Sequence, residues 1–144
     1  MEVNTNKVFI FSKISVFFKH TDYNGFVHPY NYFEWTSYVR EAFFSEICLG
    51  FREILNSSVK MMTAKISATM HCDSVFGDVI EARFTVSKIK KVSFDVIVRF
   101  FDERLQRLVC ETRHTLVFVD SQTQGFTEVP KGIREAIVNF QDKE

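Results

Sequence analysis

The hydrophobic period of this chain changes once, and that change limits the folds open to it. Between Asn31 and Gly50 the apolar residues recur at helical spacing. Projected at about 100° per residue, Tyr32, Trp35, Val39, Ala42, Phe43 and Ile47 share one broad face, with Glu34, Glu41 and Ser45 opposite. Asn31 followed by Glu34 is a capping-box pattern, and Gly50 supplies a stop. Roughly 17 residues at 1.5 Å each make a helix about 25 Å long, enough to be the spine of a small domain.

From Thr63 onward the period is 2. Ala64, Ile66, Ala68, Met70 and Cys72 alternate with polar residues, then Ile80 to Val86, then Phe94 to Phe100, then a less regular run through Leu108, Cys110, Leu116 and Phe118. Gly77 with Asp78, Lys90 with Lys91, and Asp102 to Arg104 fall where tight connections are needed. Connections this short cannot make parallel crossovers, so the four strands are antiparallel. Val8 to His20 reads as a further strand, with Val8, Ile10, Ile14, Val16 and Phe18 on one face. The expected order is β-α-β-β-β-β, an α+β fold in which a five-stranded sheet wraps one long helix. A polar connection is expected near Arg52 to Ser58, and a short amphipathic stretch with Ile133, Ile137 and Val138 after Pro130.

A chain of 144 residues, 46% hydrophobic and with 17 Phe, is most economically a single domain, 1–144, with a real aromatic core. Eighteen basic side chains against eighteen acidic ones leave no net field to steer nucleic acid or an anionic membrane. The start, MEVNTNKVFIF, has an acid and only a four-residue apolar run, so neither a signal peptide nor a membrane span is expected, and a cytoplasmic location follows. Cys48, Cys72 and Cys110, with His20, His28, His71 and His114, lack metal-ligand spacing, so no metal is expected.

The stretch His20 to Phe44 gathers the candidate chemistry. A loop with one acid, Asp22, and one glycine, Gly25, runs into the helix that carries Arg40. The run Asp22-Tyr23-Asn24-Gly25, then Val27, Asn31-Tyr32, Trp35 and Arg40-Glu41-Ala42-Phe43-Phe44, resembles the signature of the 4-hydroxybenzoyl-CoA thioesterase family of hotdog-fold proteins. The Phe76-Gly77-Asp78 turn, the Ser93-Phe94 strand start and the Val129-Pro130 ending extend the likeness over nearly the whole chain.

The resemblance implies hydrolysis of an acyl thioester carried by coenzyme A or an acyl carrier protein. No metal or organic cofactor is implied beyond the coenzyme A or phosphopantetheine of the substrate. The acid at the Asp22 position would serve as nucleophile or as general base for water, and the helix N-terminus would bind the thioester carbonyl. Sites would lie between two subunits of a homodimer, with dimers pairing into tetramers. The Asp22 to Arg40 spacing also resembles a subgroup tied to polyketide and enediyne assembly, where the arginine is implicated in catalysis and the acid is often Asn.

A carboxylate is ionised at neutral pH and can attack a thioester or orient water, though a solvated turn aspartate has the same sequence appearance. Gly25 is either a turn glycine or a point of close backbone approach to the thioester. Pro29 falls where the family's carbonyl-binding N–H is expected, and proline has none, so either His28 or Tyr30 takes that task or the carbonyl is activated differently. Arg40 and Glu46 both project inward, where a charge needs a partner or a wet cleft. Tyr32 and Trp35 are core rings or the lining of an acyl pocket. Lys88, Lys90 and Lys91, with Ser93, sit at a hairpin where they are solubilising or meet coenzyme A phosphates. A non-hydrolytic acyl-CoA or acyl-carrier binder is the alternative reading. Hydratase chemistry has no paired His and acid to support it.

Overall fold

The structure is a computed structural model that describes residues 8–142. The residues read above as neither leader nor span lie largely outside those described. The elements are β1 (Phe9–Ser15), a 3-10 turn (Phe18–His20), α1 (Tyr30–Ile47), α2 (Phe51–Leu55), β2 (Val59–Met70), β3 (Val79–Ser87), β4 (Ser93–Asp102), β5 (Arg107–Asp120) and α3 (Lys131–Asp142). The five strands form one antiparallel sheet in the order β1-β3-β4-β5-β2, curled around α1. This is the wrapped-sheet arrangement that the period change predicts, and the hotdog fold that the resemblance implies.

The alternating runs fill the space between sheet and helix. Phe84, Phe94, Phe100 and Phe118 from the strands and Tyr32, Val39, Phe43 and Phe44 from α1 are all fully buried. Phe43 packs its ring 4.3 Å from Phe84, and Phe44 lies 5.7 Å from Phe94. On the outer face the intervening residues form ion pairs across and along the strands, Arg113 with Asp95 at 2.9 Å and Arg99 with Glu111 at 2.8 Å. Arg83 also lies over the Phe101 ring at 3.9 Å. A charged outer layer and an apolar inner one hold the sheet the right way round.

Five expectations need correction. The first strand ends at Ser15, and a bulge between Phe11 and Ile14 shifts its phase. Phe9 and Phe11 therefore face the core before the bulge and Ile14 and Val16 after it, while Ile10 and Phe18 are exposed. The connection after α1 is not plain loop: Gly50, at φ +78, turns the chain into α2, whose Phe51 stacks on Phe44. Helix α1 stops at Ile47, before that glycine. Coverage of the sheet is shared, because α3 buries Ile133 and Ile137 and brings Phe140 to 4.9 Å from Phe43. Glu46 is exposed rather than inward.

Strand β2 sits at the sheet edge. Its register with β5 places Thr63, Ile66, Ala68 and Met70 opposite the inward Leu116, His114, Thr112 and Cys110, with a bulge at Ala64. These side chains lie on the helix side. Ile66 and Met70 are nevertheless 50% and 42% exposed, so this chain leaves the inner face of its own edge strand uncovered.

Candidate active site

The loop between the 3-10 turn and α1 is closed by its own hydrogen bonds. Thr21 bridges Val27, the Asp22 N–H donates to Phe26 O at 2.8 Å, and Gly25 N–H donates to Asp22 O at 2.9 Å. Asp22 Oδ1 accepts from the Asn24 and Phe26 N–H groups at 2.8 and 3.3 Å, an Asx turn that fixes the carboxylate at the loop tip. Gly25 adopts φ +85, and a Cβ there would meet nothing within 4 Å. Its requirement is the left-handed turn, not crowding by this chain.

Asn31 does not cap the helix as expected. It is already helical and buried, and its Nδ2 donates to His20 O at 2.8 Å and His28 O at 3.0 Å. It thereby ties both ends of the Asp22 loop to the first turn of α1. The cap position is Pro29, held at φ −53 with no side-chain bond.

The amides around Pro29 decide which donor remains. His28 N–H is committed to His20 O at 2.9 Å and Asn31 N–H to His28 O at 3.0 Å. This corrects the reading of His28 as a backbone donor. Tyr30 N–H is engaged only by the His28 Nδ1 ring atom, at 3.3 Å. A turn of the exposed His28 ring frees that amide at the positive end of the helix. A shallow cavity of about 260 Å³ adjoins this start, lined by Lys19, His20, Tyr30, Asn31, Glu34, Trp35 and Tyr38. Trp35 therefore borders a pocket, whereas Tyr32 is enclosed in the core beside Trp35 and Phe100. Burial, opposed by Ser74 and reinforced by Cys110, Cys72 and Asp73, pushes the Tyr32 phenol well above its usual range.

Arg40 occupies a second cluster. It lies ten residues beyond Tyr30, about 15 Å along the axis. Arg40 Nη1 donates to Thr63 Oγ1 of β2 at 3.2 Å and to His114 Nδ1 of β5 at 3.4 Å. Beside them, Thr36 Oγ1 donates to Tyr32 O at 2.6 Å and accepts from Thr112 Oγ1. No acid among the described residues pairs with Arg40, so the ion pair that its inward position suggests is not formed. Burial lowers the Arg40 pKa, while burial and then the Arg40 charge bring that of His114 down to about 4.

Asp22 and Arg40 are thus not brought together within one chain. Neither are the hairpin lysines. Lys88, Lys90 and Lys91 are exposed at the end of β3 remote from the Asp22 loop, which bridges to Val75 just before β3 begins. Nine residues of extended chain put about 30 Å between the two ends. Lys91 pairs with Glu128 at 3.6 Å, and Ser93 opens β4 with its carbonyl bound by Lys90 N–H at 2.8 Å. Thr63, Thr112 and His114 were not singled out from the sequence. The signal was the irregularity of the last strand, because Thr112 and His114 stand in its apolar phase between Cys110 and Leu116.

No group of three or more His, Cys, Asp or Glu among the described residues is placed to hold a metal. No helix among them is long and apolar enough to cross a membrane.

An antiparallel sheet wrapped around one long helix defines a hotdog-fold protein. Residues 16–137 match the family described as the thioesterase-like superfamily, and the chain belongs to it. The class of activity that this membership assigns is thioester hydrolysis.

Solved structures agree on the fold. A 1,4-dihydroxy-2-naphthoyl-CoA thioesterase from Synechocystis is 14% identical with a TM-score of 0.85, over 95% of this chain and all of that one. A Staphylococcus aureus protein solved in complex with CoA is 17% identical with a TM-score of 0.85, over 96% of this chain and 86% of its own. The dynemicin thioesterase is 19% identical with a TM-score of 0.84, over 93% and 97%. A search of curated proteins finds no match.

Proposed function

We propose that the chain hydrolyses an acyl thioester of coenzyme A or of an acyl carrier protein, with Asp22 attacking the carbonyl or activating water. Tyr30 N–H takes the growing negative charge on the carbonyl oxygen. The observation that carries this reading is that Asn31 fastens to α1 the two ends of the loop that carries the Asp22 carboxylate, while Tyr30 N–H at the helix start is held only by the His28 ring. An oriented donor at that point is worth about 3 kcal/mol of transition-state stabilisation in comparable sites. Family membership and neighbours described as CoA thioesterases support the substrate class. Arg40 faces the acyl portion from the groove between α1 and β2.

The site is completed by a second copy. The helix side of β2 is uncovered, and within one chain Arg40 stands ten residues, about 15 Å along α1, from the Tyr30 end to which the Asp22 loop is tied. Pairing of two β2 edges would close the groove and let both groups serve one substrate. Contact between Lys88, Lys90 or Lys91 and coenzyme A phosphates would then involve a substrate held at another copy's helix start. Pairing of such dimers into tetramers belongs to the same reading.

Thiol release from a panel of acyl-CoAs tests the assignment. Asp22→Asn is expected to lower kcat by about 100-fold or more. Unchanged turnover on a good substrate would reject the role given to Asp22. Pro29, lacking an N–H where a donor is wanted, favours a second reading as a non-hydrolytic acyl-CoA binder. Saturable binding without thiol release across chain lengths would support that reading instead.

A further inference from the structure

Arg40 brings a positive charge into a half-buried groove, and each of its described partners is neutral. Its hydrogen bonds go to Thr63 Oγ1 and His114 Nδ1. A carboxylate is the usual partner for a guanidinium so placed, being charged and able to accept two bonds. The fold supplies an imidazole instead, and supplies it at a cost. An arginine can only donate, so Nδ1 of His114 must be the bare nitrogen and Nε2 carries the hydrogen. That N–H is buried without an acceptor, as is Arg40 Nε. An orphaned buried donor is unfavourable and asks for an explanation.

The imidazole is firmly held. His114 is 3% exposed, stacks on Phe33 of α1 with centroids 6.3 Å apart and planes 27° apart, and stands between Val96 of β4 and Ile66 of β2. Arg40 is the charged group that meets it.

We propose that His114 is a positioning residue for Arg40, a neutral acceptor that fixes the guanidinium in the groove without cancelling its charge. The charge is thereby kept for a substrate oxygen that is negative or becomes so during reaction. Thr63 supplies the second neutral contact from the edge strand. The inference rests on reading Arg40 as a substrate-facing group.

Four variants separate the possibilities: Arg40→Gln as reference, His114→Asn, which keeps an acceptor near the Nδ1 position, His114→Leu, which removes it, and His114→Glu, which offers a charged partner. Each is assayed for thiol release from benzoyl-, octanoyl- and palmitoyl-coenzyme A and for thermal melting. His114→Leu and His114→Glu are expected to lose at least tenfold in kcat with KM changed less than threefold, and His114→Glu to melt at or above the wild-type temperature. His114→Asn is expected to keep at least a third of kcat. Should His114→Leu fold poorly, the contrast between His114→Glu and His114→Asn decides the matter, since both place a polar group at the site. Equal activity in those two, or wild-type turnover in His114→Leu alongside a disabled Arg40→Gln, would overturn the proposal while leaving Arg40 in its role. Wild-type turnover in Arg40→Gln would overturn both. A readout independent of activity is the ¹⁵N spectrum of the His114 ring. Nδ1 is expected to be unprotonated at neutral pH and to shift in Arg40→Gln, and a protonated Nδ1 would contradict the geometry.

Discussion

A histidine enclosed by aliphatic and aromatic side chains and facing a guanidinium has one comfortable protonation state. Burial and the Arg40 charge hold the His114 pKa at about 4, against an ordinary value of 6.5. The folded state therefore resists a proton that the unfolded chain accepts. Stability from this group is fully present above pH 6.5, declines as the pH falls, and is exhausted near pH 4. The window is worth about 3 kcal/mol, two to three units at about 1.4 kcal/mol each. Melting temperatures measured between pH 7 and pH 4 are expected to fall less steeply in His114→Asn than in the wild type. Parallel curves would mean that His114 titrates normally. At the same scale, Cys110 is buried with its thiol pushed up to about 12, so it is not a thiolate competitor to Asp22 as a nucleophile.

Helix α1 shows how one element can be legible in outline and obscure at its ends. Its length, 18 residues against the roughly 17 expected, and its core face of Tyr32, Trp35, Val39 and Phe43 are legible from spacing. The start does not, because Asn31 has the same sequence signature whether it accepts a cap bond or, as here, donates to two loop carbonyls. Pro29 at the cap has helical angles, φ −53 and ψ −32, that alanine also adopts. Pro29→Ala should therefore leave α1 intact and cost about 0.4–1 kcal/mol through the freer unfolded chain. It also restores one N–H beside Tyr30. Thiol-release assays are expected to show kcat raised severalfold, and a fall would place the carbonyl elsewhere. Strand β1 was misread for a related reason. A single bulged residue moves every later side chain to the other face, and nothing in FIFSKIS marks where the extra residue sits. The Arg40 cluster was hidden because its parts are spread over α1, β2 and β5 and meet only through sheet register.

At the scale of the whole molecule, the helix side of β2 is the surface that one chain leaves unfinished. An apolar edge strand with free backbone groups is a ready template for a second copy. Ile66→Glu places a charge on that face and is expected to yield a monomer by light scattering, with thiol release reduced at least tenfold. A variant that stays dimeric or keeps full activity would show that the edge is not the interface. The outer face, with its ion pairs of Arg113, Asp95, Arg99 and Glu111, offers no comparable invitation.

The uncovered edge also has a kinetic consequence. If half of each reaction chamber must come from another copy, the rate per molecule depends on how much protein there is. Dilution below the dimer dissociation constant should make specific activity fall, and added inert protein should not restore it. A newly synthesised chain would then be silent until it met its twin, sparing the cell's thioester pool from hydrolysis by unpaired copies.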